Sequence, residues 1–291
     1  MRIIRARILG FCMGVRRAVE MALRESQKAS CKVYTIGPLI HNTRVLETLK
    51  EQGIVCLNEL KTVPKKSTVI IRTHGVSPIV EKAFLEQEIN ILDATCPKVK
   101  ASQNKAHFFA KKGYRIFLAG EENHAEISGI RGFAQNSSCF VVDSSAAADA
   151  VAAELYRKDP SAMTVLIGQT TISREEYKAI GKAILRYFPK LEIIDTICGA
   201  TAERQQALRE LCVQADALII VGGKDSANAR RLIALALDQG KPAWLVESPA
   251  DLPVEIWNYQ TVGLSAGAST PDELIDEIEE EITKEHLAKL G

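Results

Sequence analysis

The sequence lacks most of the local signals that give a protein's chemistry away. It has no Cys-x-x-Cys pair, so it encodes neither a zinc ribbon nor a thioredoxin-type redox site. G-x-G-x-x-G, G-x-x-x-x-G-K-[ST] and H-E-x-x-H are also missing, which removes the usual marks of dinucleotide sites, P-loops and zincins. Charge of either sign is not in excess: 37 Lys and Arg stand against 36 Asp and Glu, a formal net charge of +1. No bulk field therefore draws the chain to nucleic acid or to an anionic membrane, and neither is expected as a partner. Long apolar runs are absent as well. A stretch such as Ala217–Val221, "ALIIV", is far too short to span a bilayer. The first residues, "MRIIRARILGFCMGV", carry charge through their apolar part and form no secretory h-region, so the expected location is the cytoplasm.

What remains is ordinary globular composition, 46% hydrophobic and 25% charged over 291 residues, enough for several small domains. The seven cysteines are Cys12, Cys31, Cys56, Cys96, Cys139, Cys198 and Cys212. An odd number in a long chain without a secretory signal argues against a disulfide framework.

Aligning the chain with itself reveals a repeat. "EINILDATCPKVKASQNKA" and "KLEIIDTICGATAERQQAL" both read apolar strand, Asp, two residues, Cys, helical run. A second pattern of strand, polar loop and helix recurs in "KVYTIGPLIHNTRVLETLKEQG", "GYRIFLAGEENHAEISGIRGFA" and "DALIIVGGKDSANARRLIALALDQG". A third recurs in "STVIIRTHGVSP", "MTVLIGQTTIS" and "YQTVGLSAGAST". The expected fold is α/β: three similar lobes, each alternating strands with helices as a small parallel sheet requires, in a pseudo-threefold trefoil. The third repeat lacks its cysteine strand, and the N-terminus supplies one ending at Cys12. Residues 1–13 are thus expected to complete the third lobe. The lobes themselves span 14–96, 97–195 and 196–280, with a tail at 281–291.

Ligands of open α/β sheets sit beyond the carboxyl ends of the strands. Each repeat places one cysteine there, at a helix start whose dipole and free amides favour a thiolate. Cys12, Cys96 and Cys198 would then meet on the pseudo-threefold axis. Three thiolates suit a [4Fe–4S] cluster with one iron left open, and zinc with three cysteines is the competing reading. Taken singly, a cysteine is most often a small core residue, and that reading is kept for Cys31, Cys56, Cys139 and Cys212. The polar loops should end at the same face. They carry His41 and Asn42, Thr73 and His74, His124 and Glu126, Gln169 to Thr171, Ser226 and Asn228, and Ser265 and Ser269. Any one serine or asparagine there is commonly a helix cap. Together with three of the five histidines they form an anion-binding set suited to a small phosphorylated substrate. Glu126 is the one acid among them and the natural general acid. His107 and His286 fall within helical stretches and are expected to be solvated.

The motifs "GFCMGVRRA", "IGPLIHN", "RTHGV", "DATCPKV", "NHAE", "GQTT", "ICGAT", "GGKDSAN" and "SAGASTPD" resemble, in order, those of the 4-hydroxy-3-methylbut-2-enyl diphosphate reductase family over residues 1–280. The resemblance implies a trefoil around a central [4Fe–4S] cluster held by Cys12, Cys96 and Cys198, whose open iron takes the allylic hydroxyl. It implies that His41, His74, Ser226, Asn228 and Ser269 hold the diphosphate and that His124 lines the pocket. Glu126 would give a proton through Thr170, and two single electrons would come from ferredoxin or flavodoxin. The products would be isopentenyl and dimethylallyl diphosphate. The chain departs from the family's usual residues at Ala125, where proline's fixed φ is lost, and at Asp225 and Ala227. The first should loosen the loop that carries Glu126, and the others should weaken diphosphate binding. Two rival readings are a non-catalytic iron–sulfur carrier or oxygen sensor, and a zinc or metal-free sugar-phosphate binder. An electron carrier would need neither the open iron nor the polar loops.

Overall fold

The computed structural model describes residues 1–28, 32–57, 63–134 and 138–290. Three four-stranded sheets are present, every pairing parallel. One of the two central strands of each, β4 (Thr68–Ile71), β8 (Thr164–Gly168) or β10 (Ala217–Val221), is buried along its whole length. This is why these strands read as unbroken apolar runs rather than as alternations.

The chain divides into two compact units. The first comprises Met1–Arg16, Ile40–Thr48 and Gly199–Gly291. Its sheet is β11 (Ala243–Val246), β10, β12 (Thr261–Ala266) and β1 (Arg2–Arg5), in that spatial order. The N-terminal strand β1 therefore fills the fourth place, with Arg2 opposite Thr261 and Arg5 opposite Leu264. Helix α10 (Asp272–Leu290) buries Leu274, Ile275, Ile278 and Ile282 with Val221, Val262 and Leu264. The spacing of these four residues is the apolar stripe of an amphipathic helix. The helix continues without a break past residue 281. Its His286 is half-buried, with Nε2 on the Met1 amine, and so is not the solvated residue expected.

The second unit, Arg17–Leu39 and Leu49–Cys198, holds two sheets. One runs β3 (Ile54–Leu57), β2 (Val33–Ile36), β4, β5 (Asn90–Asp93), and the other β7 (Cys139–Val142), β6 (Arg115–Ala119), β8, β9 (Glu192–Ile194). In these two sheets the first strand, β2 or β6, sits second, as β10 does in the first unit's sheet, so the chain reverses direction of winding between the two central strands. That reversal opens a crevice at their carboxyl ends. The crossovers are helical: α3 (Pro78–Glu86) lies between β4 and β5, α5 (Ala125–Phe133) between β6 and β7, α6 (Ser145–Lys158) between β7 and β8, and α7 (Arg174–Leu185) between β8 and β9. Helix α7 starts on a full capping box, Ser173 with Glu176. Among the described residues no helix is long and apolar enough to cross a membrane.

Of the cysteines read as core residues, Cys212 is buried, Cys139 is half-buried, and Cys31 lies outside the described residues. Cys56 is exposed, contrary to expectation: β3 is an edge strand, and its two middle residues, Val55 and Cys56, are both exposed.

Gly263 lies in β12 with neighbours on both sides. A methyl there would come within 2.5 Å of Leu218 Cδ2 and 2.8 Å of Leu211 Cγ. Gly263→Ala should therefore cost about 1–3 kcal/mol through overpacking, read as a lower urea midpoint with an unchanged slope.

Candidate functional site

The remaining α-helices among the described residues are α1 (Met13–Lys28), α2 (Thr43–Glu51), α4 (Pro97–Lys111), α8 (Gly199–Gln214) and α9 (Ala227–Asp238). Cys12, Cys96 and Cys198 each stand immediately before one of them, α1, α4 and α8. All three cysteines are half-buried. Each also makes the same backbone bond. The Cys96 N–H donates to the Thr73 carbonyl at 3.0 Å, the Cys198 N–H to the Thr170 carbonyl at 2.9 Å, and the Cys12 N–H to the Ala268 carbonyl at 3.0 Å. The acceptors belong to the loops after β4, β8 and β12. In every sheet, the third strand's polar loop thus holds the cysteine at the end of the fourth strand.

In the second unit the loops meet tightly. His74 and His124 stand edge to face with ring centroids 5.3 Å apart. His124 caps α5: its Nδ1 accepts the Glu126 N–H at 3.1 Å. Glu126, at 1% exposure, accepts the Thr170 N–H at Oε1 (2.6 Å) and the Thr170 hydroxyl at Oε2 (2.8 Å). A buried carboxylate is costly unless it is hydrogen-bonded, and Thr170 supplies two donors to it. Ala125 thus lies between His124, whose ring caps α5, and Glu126, which Thr170 holds. Gln169 is wholly buried and fastens the neighbouring loop, accepting the Glu121 N–H at 3.1 Å and donating to Thr171 at 2.9 Å.

In the first unit, the loop after β10 and the loop after β12 line the corresponding crevice. Ser226 accepts the Ala229 N–H at 3.3 Å and caps α9. Asn42 caps α2 by accepting the Val45 N–H at 3.1 Å. The Ser269 hydroxyl donates to the His41 carbonyl at 2.9 Å. The same carbonyl would lie 2.8 Å from a Cβ on Gly223, so only glycine lets the chain pass there. Asn228 is buried, yet neither atom of its amide has a hydrogen-bond partner among the described residues, and the same holds for the Ser265 hydroxyl. Buried polar atoms without partners are rare in folded proteins and mark places where a ligand or water belongs. Asp225 is exposed, and Ala227 is buried in the first turn of α9. Gly263 to Gly267 spell G-x-S-x-G, a pattern usually found at a strand-to-helix elbow. Here the run lies along β12 and beyond, with Ser265 fully buried.

The corners are braced by residues that the sequence reading passes over. The Thr95 N–H donates to Asp93 Oδ1 at 2.9 Å, and Lys100 sits 3.1 Å from Oδ2. Burial pushes the Asp93 carboxyl up, but the Thr95 bonds and Lys100 outweigh it and hold the group below its ordinary range. The Thr196 hydroxyl, two residues before Cys198, bonds both the N–H and the carbonyl of Gly168 at 2.8 Å. Arg17 and Arg204 also reach these corners.

The family model described as "LytB protein" matches residues 3–283. The 4-hydroxy-3-methylbut-2-enyl diphosphate reductase of Treponema denticola is 40% identical over 290 residues, covering 96% of this chain and 98% of that protein. The structure of the E-1-hydroxy-2-methyl-but-2-enyl-4-diphosphate reductase from Plasmodium falciparum superposes with a TM-score of 0.90 at 28% identity, covering 97% of this chain and 88% of that one. A further solved structure, of the (E)-4-hydroxy-3-methyl-but-2-enyl diphosphate reductase described as the terminal enzyme of the non-mevalonate pathway, superposes at 0.71. It is 34% identical and covers 98% of this chain and all of its own, 100%.

The cysteines outside the corners supply a test. Burial pushes the Cys139 thiol up to about 12, and it raises Cys212 as well. Alkylation needs the thiolate, so both should stay protonated and unmodified at pH 8. Iodoacetamide on the native protein at that pH should label the exposed Cys56 and spare Cys139 and Cys212, read by peptide mass spectrometry. Labelling of Cys139 should rise only as the pH climbs toward its raised value.

Proposed function

Because the chain belongs to the LytB family, we propose that it reduces 4-hydroxy-3-methylbut-2-enyl diphosphate to isopentenyl and dimethylallyl diphosphate. The family implies an iron–sulfur cofactor, and we assign it to Cys12, Cys96 and Cys198 as a [4Fe–4S] cluster. The residues fit such a group. They are three soft thiols, partly accessible, each at a helix start where partial positive charge favours thiolate. When bound, the cluster supplies electrons one at a time and, with three protein ligands, leaves one iron open as a Lewis acid.

The observation that carries this reading is the repeated corner. One backbone bond couples each cysteine to a loop bearing, at that position or the next, a substrate-type residue: His74 after Thr73, Thr170 itself, and Ser269 after Ala268. Sulfur ligands and polar pocket are thereby built as one object, which an electron carrier does not need. His41, His74, Ser226, Asn228 and Ser269 hold the diphosphate, and His124 lines the pocket. Asn228 offers a donor and an acceptor that the protein itself leaves unused. The conversion takes two electrons and two protons and releases water. Glu126 gives one proton to the departing hydroxyl. Its bond with the Thr170 hydroxyl, 2.8 Å long, reverses direction when the carboxyl is protonated, which makes Thr170 the relay. The second proton goes to either end of the allyl anion, which sets the two products. The electron donor is a small one-electron carrier such as ferredoxin or flavodoxin.

After anaerobic reconstitution, the protein with a low-potential reductant should turn over the allylic alcohol diphosphate to both products. Glu126→Gln should keep iron, sulfide and fold, since the amide still meets both Thr170 groups, while turnover falls by about 10²–10⁴. Full turnover would remove Glu126 as the acid. Serine at any of Cys12, Cys96 or Cys198 should lower iron content and abolish activity, whereas Cys56→Ser and Cys212→Ser should retain wild-type iron. Iron loss in that second pair would overturn the ligand assignment.

A further inference from the structure

Two arginines stand in matching places relative to the cysteine corners. Arg17 follows Cys12 by five residues, on α1, and donates to the Thr95 carbonyl at 3.2 Å and the Asp93 carbonyl at 3.3 Å. Those carbonyls lie one and three residues before Cys96. Arg204 follows Cys198 by six residues, on α8, and donates to the Gly10 carbonyl at 2.6 Å and the Ala200 carbonyl at 3.1 Å. Gly10 lies two residues before Cys12, and Ala200 two residues after Cys198. In both cases the helix that follows one cysteine sends a guanidinium to the backbone just before another cysteine.

Arg17 is exposed, whereas the Arg204 site lies in the interior. Arg204 is 2% exposed and is the largest fully buried side chain among the described residues. Burying a guanidinium is expensive, and its bonds to carbonyls are of the strong, charge-assisted kind. Gly10 has φ +76, and a Cβ there would lie 2.6 Å from Asp272 Oδ1. The turn ahead of Cys12 thus has a shape that only glycine accepts readily, and Arg204 fixes its carbonyl. The Cys12 N–H is held at the same time by the Ala268 carbonyl at 3.0 Å.

We propose that Arg17 and Arg204 are positioning residues that hold the backbone ahead of Cys96 and of Cys12, respectively, and place permanent positive charge beside the iron–sulfur cluster. The proposal rests on the assignment of the cluster to Cys12, Cys96 and Cys198. A lysine in place of either arginine keeps the charge but cannot span two carbonyls with a fork. A cation near the cluster stabilises its more negative, reduced state and so raises its reduction potential.

The test uses the reconstituted full-length protein and the variants Arg204→Met, Arg204→Lys, Arg17→Met and Arg17→Lys. Two quantities are read: the rate at which an iron chelator strips the cluster, and the midpoint potential from an anaerobic titration followed by electron paramagnetic resonance. Both methionine variants should lose iron roughly tenfold faster or more, and their potentials should fall below wild type. Both lysine variants should also lose iron faster but should recover the wild-type potential, a separation that a merely structural role does not produce. Should Arg204→Met fail to fold by circular dichroism, Arg17→Met decides the matter, because Arg17 is exposed. Wild-type iron release and an unchanged potential in the methionine variants would overturn the proposal. A wild-type protein that takes up no iron and sulfide would instead overturn the cluster assignment.

Discussion

One backbone hydrogen bond, repeated three times, underlies the site. A cysteine at the end of a fourth strand gives its N–H to a carbonyl in the loop that leaves the third strand. The bond is only possible because the strands run parallel. Parallel pairing brings the carboxyl end of one strand beside the carboxyl end of the next, so the residue that ends one and the loop that leaves the other are neighbours. Were the fourth strand antiparallel, its cysteine would lie at the far edge of the sheet, away from the polar loops.

That geometry ties two kinds of chemistry together. The polar loops sit where the winding of each sheet reverses, the ordinary place for a ligand in such folds. Asn42, His124 and Ser226 in these loops cap the helices that follow, and a helix start suits an anion. The bond to the cysteine then fixes the polar loop beside the cysteine's backbone. Glu126 shows how closely the parts are shared. Thr170 gives its N–H and hydroxyl to the Glu126 carboxylate, and its carbonyl accepts the Cys198 N–H. A single residue thus touches the proposed acid and the backbone of a proposed ligand.

The cost of this arrangement is polar burial, visible as a set of buried hydrophilic side chains along the crevices. Glu126, Gln169 and Arg204 offset that cost with several hydrogen bonds apiece, to backbone groups in particular. Asn228 and Ser265 do not. Both lie in the first unit, Asn228 in the first turn of α9 beyond β10 and Ser265 within β12, where the proposed diphosphate site has its polar loops.

The sequence by itself determined the repeat, and through it the three parallel sheets, the strand borrowed from the N-terminus and the singling out of Cys12, Cys96 and Cys198. These were legible because strand and helix periodicity are local and because a cysteine three residues after Asp recurs at a fixed interval. The polar loops could be read in the same way, residue by residue. Only the tertiary structure decided how the parts are fastened. It showed that His124 caps the helix that carries Glu126, that Thr170 serves both Glu126 and Cys198, that Cys56 is exposed on an edge strand, and that Arg17 and Arg204 bond the backbone ahead of Cys96 and Cys12. Except for the His124 cap, which spans two residues, and the exposure of Cys56, those facts join residues tens to hundreds of positions apart in the chain. Whether an arginine spends its charge on solvent or on a distant carbonyl depends on which surfaces come together, and no short-range pattern records that.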